Sequence, residues 1–286
     1  MVRPNPVAAQ RRLRAELRRL REQAGLTQKQ VAESLEWSTS KVIRIETGAV
    51  GVTKTDLTAL LALYGLHDDA RANELIQASR DTREQAWWDE YRSTEDAQFI
   101  MFLGLEASAS LVRQFQALVV PGLLQTEAYA RAILSTYRAD QQELDRGVQI
   151  RMRRQRLLDD PDGLSLFCVL DEAVLRRIAG GPDVMREQLA RLKDMNRRPN
   201  VSIQVATFDQ GVNLGMKGSF TVFEFPTDDQ DHAIYVEQPY RDALIQNDPV
   251  EASGYMETFF ELETLARPAS DLDKVIDRVL EQQFGE

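Results

Sequence analysis

Cysteine is almost absent. Cys168 is the only one in 286 residues, so no internal disulfide can form, which fits a reducing compartment. Histidine is nearly as scarce, and His67 and His232 have no Cys/His cluster beside them, so no zinc centre is expected. No apolar run reaches the roughly 18 residues that a membrane-spanning helix needs. The opening stretch, MVRPNPVAAQRRLRAELRRL, has arginines but no apolar core of signal-peptide length, so neither export nor membrane contact is expected and the location is read as cytoplasmic. GVNLGMKGS at 211–219 lacks the Gly-Lys-Ser/Thr run of a phosphate loop and reads as a turn between strands. Asp171 and Glu172 are adjacent and point apart on any regular element, so they form no catalytic pair. Cys168 lies in the apolar run LFCVL and reads as an inert buried thiol. With no nucleophile, metal cluster or phosphate loop, neither an enzyme nor a cofactor is expected.

Acidic charge is abundant but uneven. The formal net charge is −10. Residues 1–55 nevertheless carry 11 Lys/Arg against 5 Asp/Glu, a net +6, which leaves −16 for the rest. A basic head on an acidic body means that only the head need meet a polyanion. The length suits two domains, and 43% hydrophobic with 28% charged residues is the composition of a folded chain.

The head reads as five short helices. Leu13, Leu17, Leu20 and Ala24 recur at helical spacing over 9–24, and Gly25 stops the helix. Thr27 and Gln30 form a capping box for a second helix over 28–35, with Leu26 and Val31 as its staple. Ser38 caps a third, with Val42 and Ile45 inward and Gly48 at its end. A fourth spans 55–64, with Leu57, Leu60, Leu61 and Tyr64 inward, and a fifth spans 68–81. The second and third helices, joined by a tight link, have the layout of a helix-turn-helix, which Ala32 favours by letting the two approach closely. The second of these would enter the major groove of double-stranded DNA. Ser38, Thr39, Ser40, Lys41 and Arg44 then face outward, where Lys and Arg donate to guanine and the hydroxyls to either base type. Gln28 and Lys29, at a helix N-terminus, are placed for phosphates, and Thr47 and Lys54 complete the expected contact set. The arginines at 11, 12, 14, 18, 19 and 21 either solvate helix one or touch phosphate.

LRRLREQAGLTQKQVAESLEWSTSKVIRIETG resembles the lambda-repressor-like (XRE) helix-turn-helix family over residues 13–64. The resemblance implies the five-helix fold and these contact roles. The family often has glycine in the turn where this chain has Glu36. A non-glycine residue at positive φ there costs roughly 1 kcal/mol, unless the turn itself differs.

From residue 82 on we expect an α+β domain, giving domains at 1–81 and 82–286. The stretch WWDEY at 87–91 reads as core or as a ligand cage. PGLLQTEAYARAILSTY and QQELDRGVQIRMRRQRLL have helical periodicity. Four β-type runs follow, LSLFCVL, NVSIQVATF, GSFTVFEF and AIYVEQ, with a helix at 183–195 between the first two, and the chain closes on two helices. A small sheet between helices results. The basic run RMRRQR at 151–156 is a solvated face, a partner for nearby acids, or a second DNA contact. VVPGLLQTEAYARAIL, RMRRQRLL and the sheet region together resemble WhiJ-like regulators of actinobacteria. That resemblance implies an antitoxin-like repressor whose C-terminal domain binds a small protein encoded by a neighbouring gene; the alternative is a small-molecule-sensing repressor. A lone helix-turn-helix makes few base contacts, so a homodimer on two half-sites is expected.

Overall fold

A computed structural model describes residues 6–82, 85–226, 228–238, 243–246 and 249–285; Arg3, one of the basic residues of the head, lies outside them. The chain forms two compact units. The first runs to Ser108 and takes in Phe225–Asp231, and the second comprises Ala109–Glu224 and His232–Glu286.

The first unit is helical. Its elements are α1 Pro6–Gln23, α2 Gln28–Ser34, α3 Thr39–Thr47, α4 Lys54–Leu63, α5 Asp69–Asp81 and α6 Ala97–Ser108. Leu13, Leu17, Leu20, Val31, Ala32, Val42, Ile45, Leu57, Leu60, Leu61 and Tyr64 share one core, as the spacing predicts. Ala24 is the exception: it sits just past α1 and is exposed. The capping box is present. The Gln30 amide N–H donates to Thr27 Oγ1 at 3.2 Å, and Thr27 N–H to Gln30 Oε1 at 2.8 Å. Gly25 and Gly48 have φ of 67° and 75°, the left-handed conformation that ends a helix. The boundary expected at 81/82 falls inside this unit, because α6 packs on α1. Trp88 is buried there, edge-on to Trp87 at 5.6 Å, which fits the core reading of WWDEY.

The strands are β1 Leu111–Gln116, β2 Ser165–Asp171, β3 Val201–Ala206, β4 Phe220–Phe225, β5 Asp228–Val236 and β6 Ala243–Gln246, and all but Phe225 and Asp228–Asp231 belong to the second unit. They form one sheet in the order β3-β2-β1-β4-β5-β6. The first three pair in parallel, with Leu111 opposite Ser165 and Leu166 opposite Val201. β1 pairs antiparallel with β4 on its other side. Parallel neighbours need helical crossovers. α7 Glu127–Leu134 and α8 Gln141–Arg154 link β1 to β2, and α9 Glu172–Arg176 and α10 Pro182–Asn196 link β2 to β3. α11 Pro249–Leu265 and α12 Leu272–Phe284 close the chain. Phe115, Val169, Ala206, Phe220 and Val222 bury against Ala252, Phe259 and Leu262 of α11. On the alternate positions, Val112, Leu166, Cys168, Leu170, Ile203 and Val205 are buried too, so both faces of the parallel half are covered. Burial pushes the Cys168 thiol pKa up. Among the described residues no helix is long and apolar enough to cross a membrane.

Candidate nucleic-acid interface

The turn between α2 and α3 fixes how α3 is presented. Trp37 N–H donates to Ala32 O at 2.8 Å and Glu36 N–H to Glu33 O at 3.4 Å, the paired bonds of a Schellman cap. Its left-handed position is taken by Glu36, with φ 55°. The turn is thus the one that favours glycine, and this chain makes it with a side chain in place. Ser38 then caps α3, its Oγ accepting from Lys41 N–H at 3.2 Å.

α3 buries Val42, Ile45 and Glu46. Ser38, Thr39, Ser40 and Arg44 are exposed on it, with Lys29 and Lys54 exposed on the neighbouring helices. Among the described residues Arg44 has no side-chain partner. Lys29 lies 3.8 Å from Glu33, both side chains well exposed, a pair of little energetic consequence. Thr47 is half-buried, and its hydroxyl leans on Arg44 O at 3.4 Å.

Two expected contact residues are engaged inside the protein. Lys41 Nζ is 2.8 Å from Asp56 Oδ1 on α4 and 3.7 Å from the centre of the Trp37 ring. To reach a base edge its ammonium must leave both. Gln28 turns inward, donating to Glu46 Oε2 at 2.8 Å, so its contribution to a phosphate would come from the α2 N-terminus rather than from its amide.

Glu46 is the hub that sequence reasoning missed. Arg21 Nε meets its other oxygen at 2.7 Å, and Arg21 Nη1 also donates to Leu26 O at 2.9 Å. One carboxylate thereby ties α1, α2 and α3 together. Burial works against the charge on Arg21, but the bond to Glu46 outweighs it and the guanidinium pKa rises. Burial, with Glu46 nearby, raises the pKa of Tyr64. Of the other α1 arginines, Arg19 pairs with Glu16, while Arg12 and Arg18 stay exposed.

The family model described as "Helix-turn-helix domain" matches residues 12–75. The one described as "Domain of unknown function (DUF5753)" matches residues 99–278, more than half of the chain. The chain belongs to the DUF5753 family. This DUF5753 protein carries a helix-turn-helix DNA-binding domain at its head, and α3 with its exposed row lies within the matched residues. No curated protein and no solved structure matches the chain.

In this DUF5753 chain, Trp37 and Asp56 are the other residues sequence reasoning passed over. Asp56 gives a signal in retrospect. It lies three residues after the Thr53 that caps α4, and its N–H donates to Thr53 Oγ1 at 3.1 Å, so it is held in the first turn of α4, beside α3. Its pairing with Lys41, 15 positions earlier, has no sequence signature.

Proposed function

We propose that this protein is a transcriptional repressor of the XRE type, working in the cytoplasm without catalysis. It binds duplex DNA as a homodimer, with α3 in the major groove and Ser38, Thr39, Ser40, Lys41 and Arg44 toward the bases. The observation that carries this reading is the exposed Ser-Thr-Ser-Arg row on a capped helix whose back is locked into the core by Val42, Ile45 and Glu46. Lys29, Lys54 and the N-terminus of α2 are placed for phosphates. Dimerisation would set two half-sites about 34 Å apart.

The second unit is read as the regulatory part, taking a small protein encoded by a neighbouring gene, as the resemblance to WhiJ-like, antitoxin-like regulators implies. Two observations support a protein partner here. Residues 81–286 carry a net charge of −14, which repels phosphate and steers a basic partner. Phe208, Val212, Leu214 and Met216 are all exposed within nine residues. A partner that prefers either the free or the DNA-bound form must shift DNA affinity. The test is to map the DNA bound across the genome, with and without the neighbouring small protein, and then to titrate that protein against the purified complex. An inverted-repeat operator whose occupancy changes with the partner is the expected result. Binding without sequence preference would defeat the repressor reading, and unchanged operator affinity would defeat the partner reading.

A further inference from the structure

The sheet of the second unit has a topological switch at β1. The chain steps outward from β1 to β2 to β3, then returns to β1's other side for β4. In doubly wound parallel sheets ligands bind in the crevice beyond the carboxyl ends of the strands at such a switch; here β1 shares its carboxyl edge with its parallel neighbour β2, while β4 runs the other way. At that end of β1 the face opposite Phe115 is polar yet buried. Gln114 and Gln116 point to the same face, only 4% and 2% exposed. Each amide satisfies one end. Gln114 Nε2 is 2.9 Å from Thr221 Oγ1, and Gln116 Nε2 donates to Glu237 Oε1 at 2.9 Å. Among the described residues the Oε1 of each has no hydrogen-bond partner. For Gln116 the orientation is forced, because only the NH₂ end can face a carboxylate. Its buried acceptor is therefore the one left over, a costly state for a core position to keep.

A cation stands at the same end of the strand. The loop leaving β1 carries Val120, whose carbonyl accepts from Gln125 Nε2 at 2.7 Å. Gln125 Oε1 in turn accepts from Arg151 Nη1 at 2.6 Å. Arg151 Nη2 is 3.4 Å from the Tyr137 hydroxyl. Both acceptors are neutral, and among the described residues no carboxylate touches this guanidinium. Burial disfavours its charge and lowers its pKa. Arg154 and Arg138 push the same way, and Tyr137 and Glu237 oppose them. Glu237 is thus the shared neighbour: it holds Gln116 and lies in the field of Arg151.

We propose that this end of β1 binds a small zwitterion with the chemistry of a free amino acid. Its ammonium donates to Gln114 Oε1 and Gln116 Oε1 beside the Glu237 carboxylate, and its carboxylate takes the guanidinium of Arg151. The match is one of donors to orphaned acceptors and of an anion to a cation that, among the described residues, no carboxylate touches. It does not depend on the DNA-binding reading, since every residue belongs to the second unit.

The full chain is titrated calorimetrically with each proteinogenic amino acid in turn, and its melting temperature is followed alongside. At least one should bind one-to-one and raise the melting temperature. Gln116→Met, close in volume, should weaken that binding at least tenfold, as should Arg151→Gln at the more accessible end of the site. If Gln116→Met does not fold, Arg151→Gln alone decides. An ordered water on the two amides would leave every titration flat, and that result overturns the proposal. Binding that survives Arg151→Gln undiminished overturns it as well.

Discussion

Replacing Glu36 by glycine should stabilise the first unit. Glu36 holds φ at 55°, where an L-residue's Cβ crowds the following carbonyl at a cost of roughly 1–2 kcal/mol. Glycine removes that cost but gives the unfolded chain more freedom, worth about 0.4–1 kcal/mol in the other direction. The Glu36 side chain is exposed and has no partner among the described residues, so nothing else is lost. The net gain is about 0.5–1 kcal/mol. With a urea slope of about 1–2 kcal/mol per molar for a unit of this size, the midpoint should rise by about 0.5 M. The protein supplies its own selective probe: all three tryptophans, Trp37, Trp87 and Trp88, lie in the first unit. Their fluorescence in urea therefore reports that unit within the full chain. Glu36→Ala, which keeps the Cβ, should leave the midpoint near that of the parent. A midpoint that falls in Glu36→Gly, or that rises equally in Glu36→Ala, would refute the strain argument.

Other perturbations separate the roles of neighbouring side chains. Arg44→Ala should cost about 1–3 kcal/mol of operator binding and relax preference at one base position, whereas Lys29→Ala should weaken all sequences alike and lower the salt slope by about 1; equal loss on specific and random DNA in Arg44→Ala would remove its base-reading role. Asp56→Asn should release Lys41 and delete an acid beside the interface, steepening the salt dependence of DNA binding by about 1 while costing less than about 1 kcal/mol of stability. A salt slope that does not move would show that Lys41 stays on Trp37 in the complex. Glu46→Ala leaves half-buried Arg21 with only Leu26 O and the exposed Glu22, and the Gln28 amide without its acceptor, and should destabilise the first unit by about 1–3 kcal/mol, read by tryptophan fluorescence in urea. The Glu16 carboxyl is held below its usual 4.5, first by its bond to Arg19, against burial, and then by Arg71. Its contribution is therefore full above pH 4.5 and lost as pH falls through the lower folded value; Glu16→Gln should flatten that part of the acid-unfolding curve, and an unchanged curve would show the bridge to be idle.

The head was legible because its signals are local. Thr27 and Gln30, Ser38, Gly25 and Gly48 act on neighbours within four residues, and Leu13 through Tyr64 keep helical spacing, so the sequence alone placed five helices. The Glu46 hub and the Lys41–Asp56 latch were not legible, because they join residues 15 to 25 positions apart through geometry that no spacing encodes. In the body, β2, β3, β4 and part of β5 stood out as apolar or alternating runs. β1 did not, although it lies inside the sheet between β2 and β4. Its sequence, LVRQFQ, sets Arg113, Gln114 and Gln116 among its apolar residues, and polar side chains on a doubly covered strand mask the pattern by which such strands are recognised. β6 was missed for a different reason: four residues offer too little periodicity to read.

The pairing of β1 also has a consequence for how the protein is made. One edge of β1 is closed by β2, beginning about 50 residues later, and the other by β4, with Leu111 opposite Glu224. At a synthesis rate of about 5–20 residues per second, roughly 110 residues take about 5–20 s to follow. Through that interval one edge of β1 has no antiparallel neighbour, and β2 arrives to close the other only about halfway through. Such an edge templates pairing with other chains. The Arg113 and Gln114 that obscured the strand in the sequence are also the residues that would make that waiting edge less adhesive.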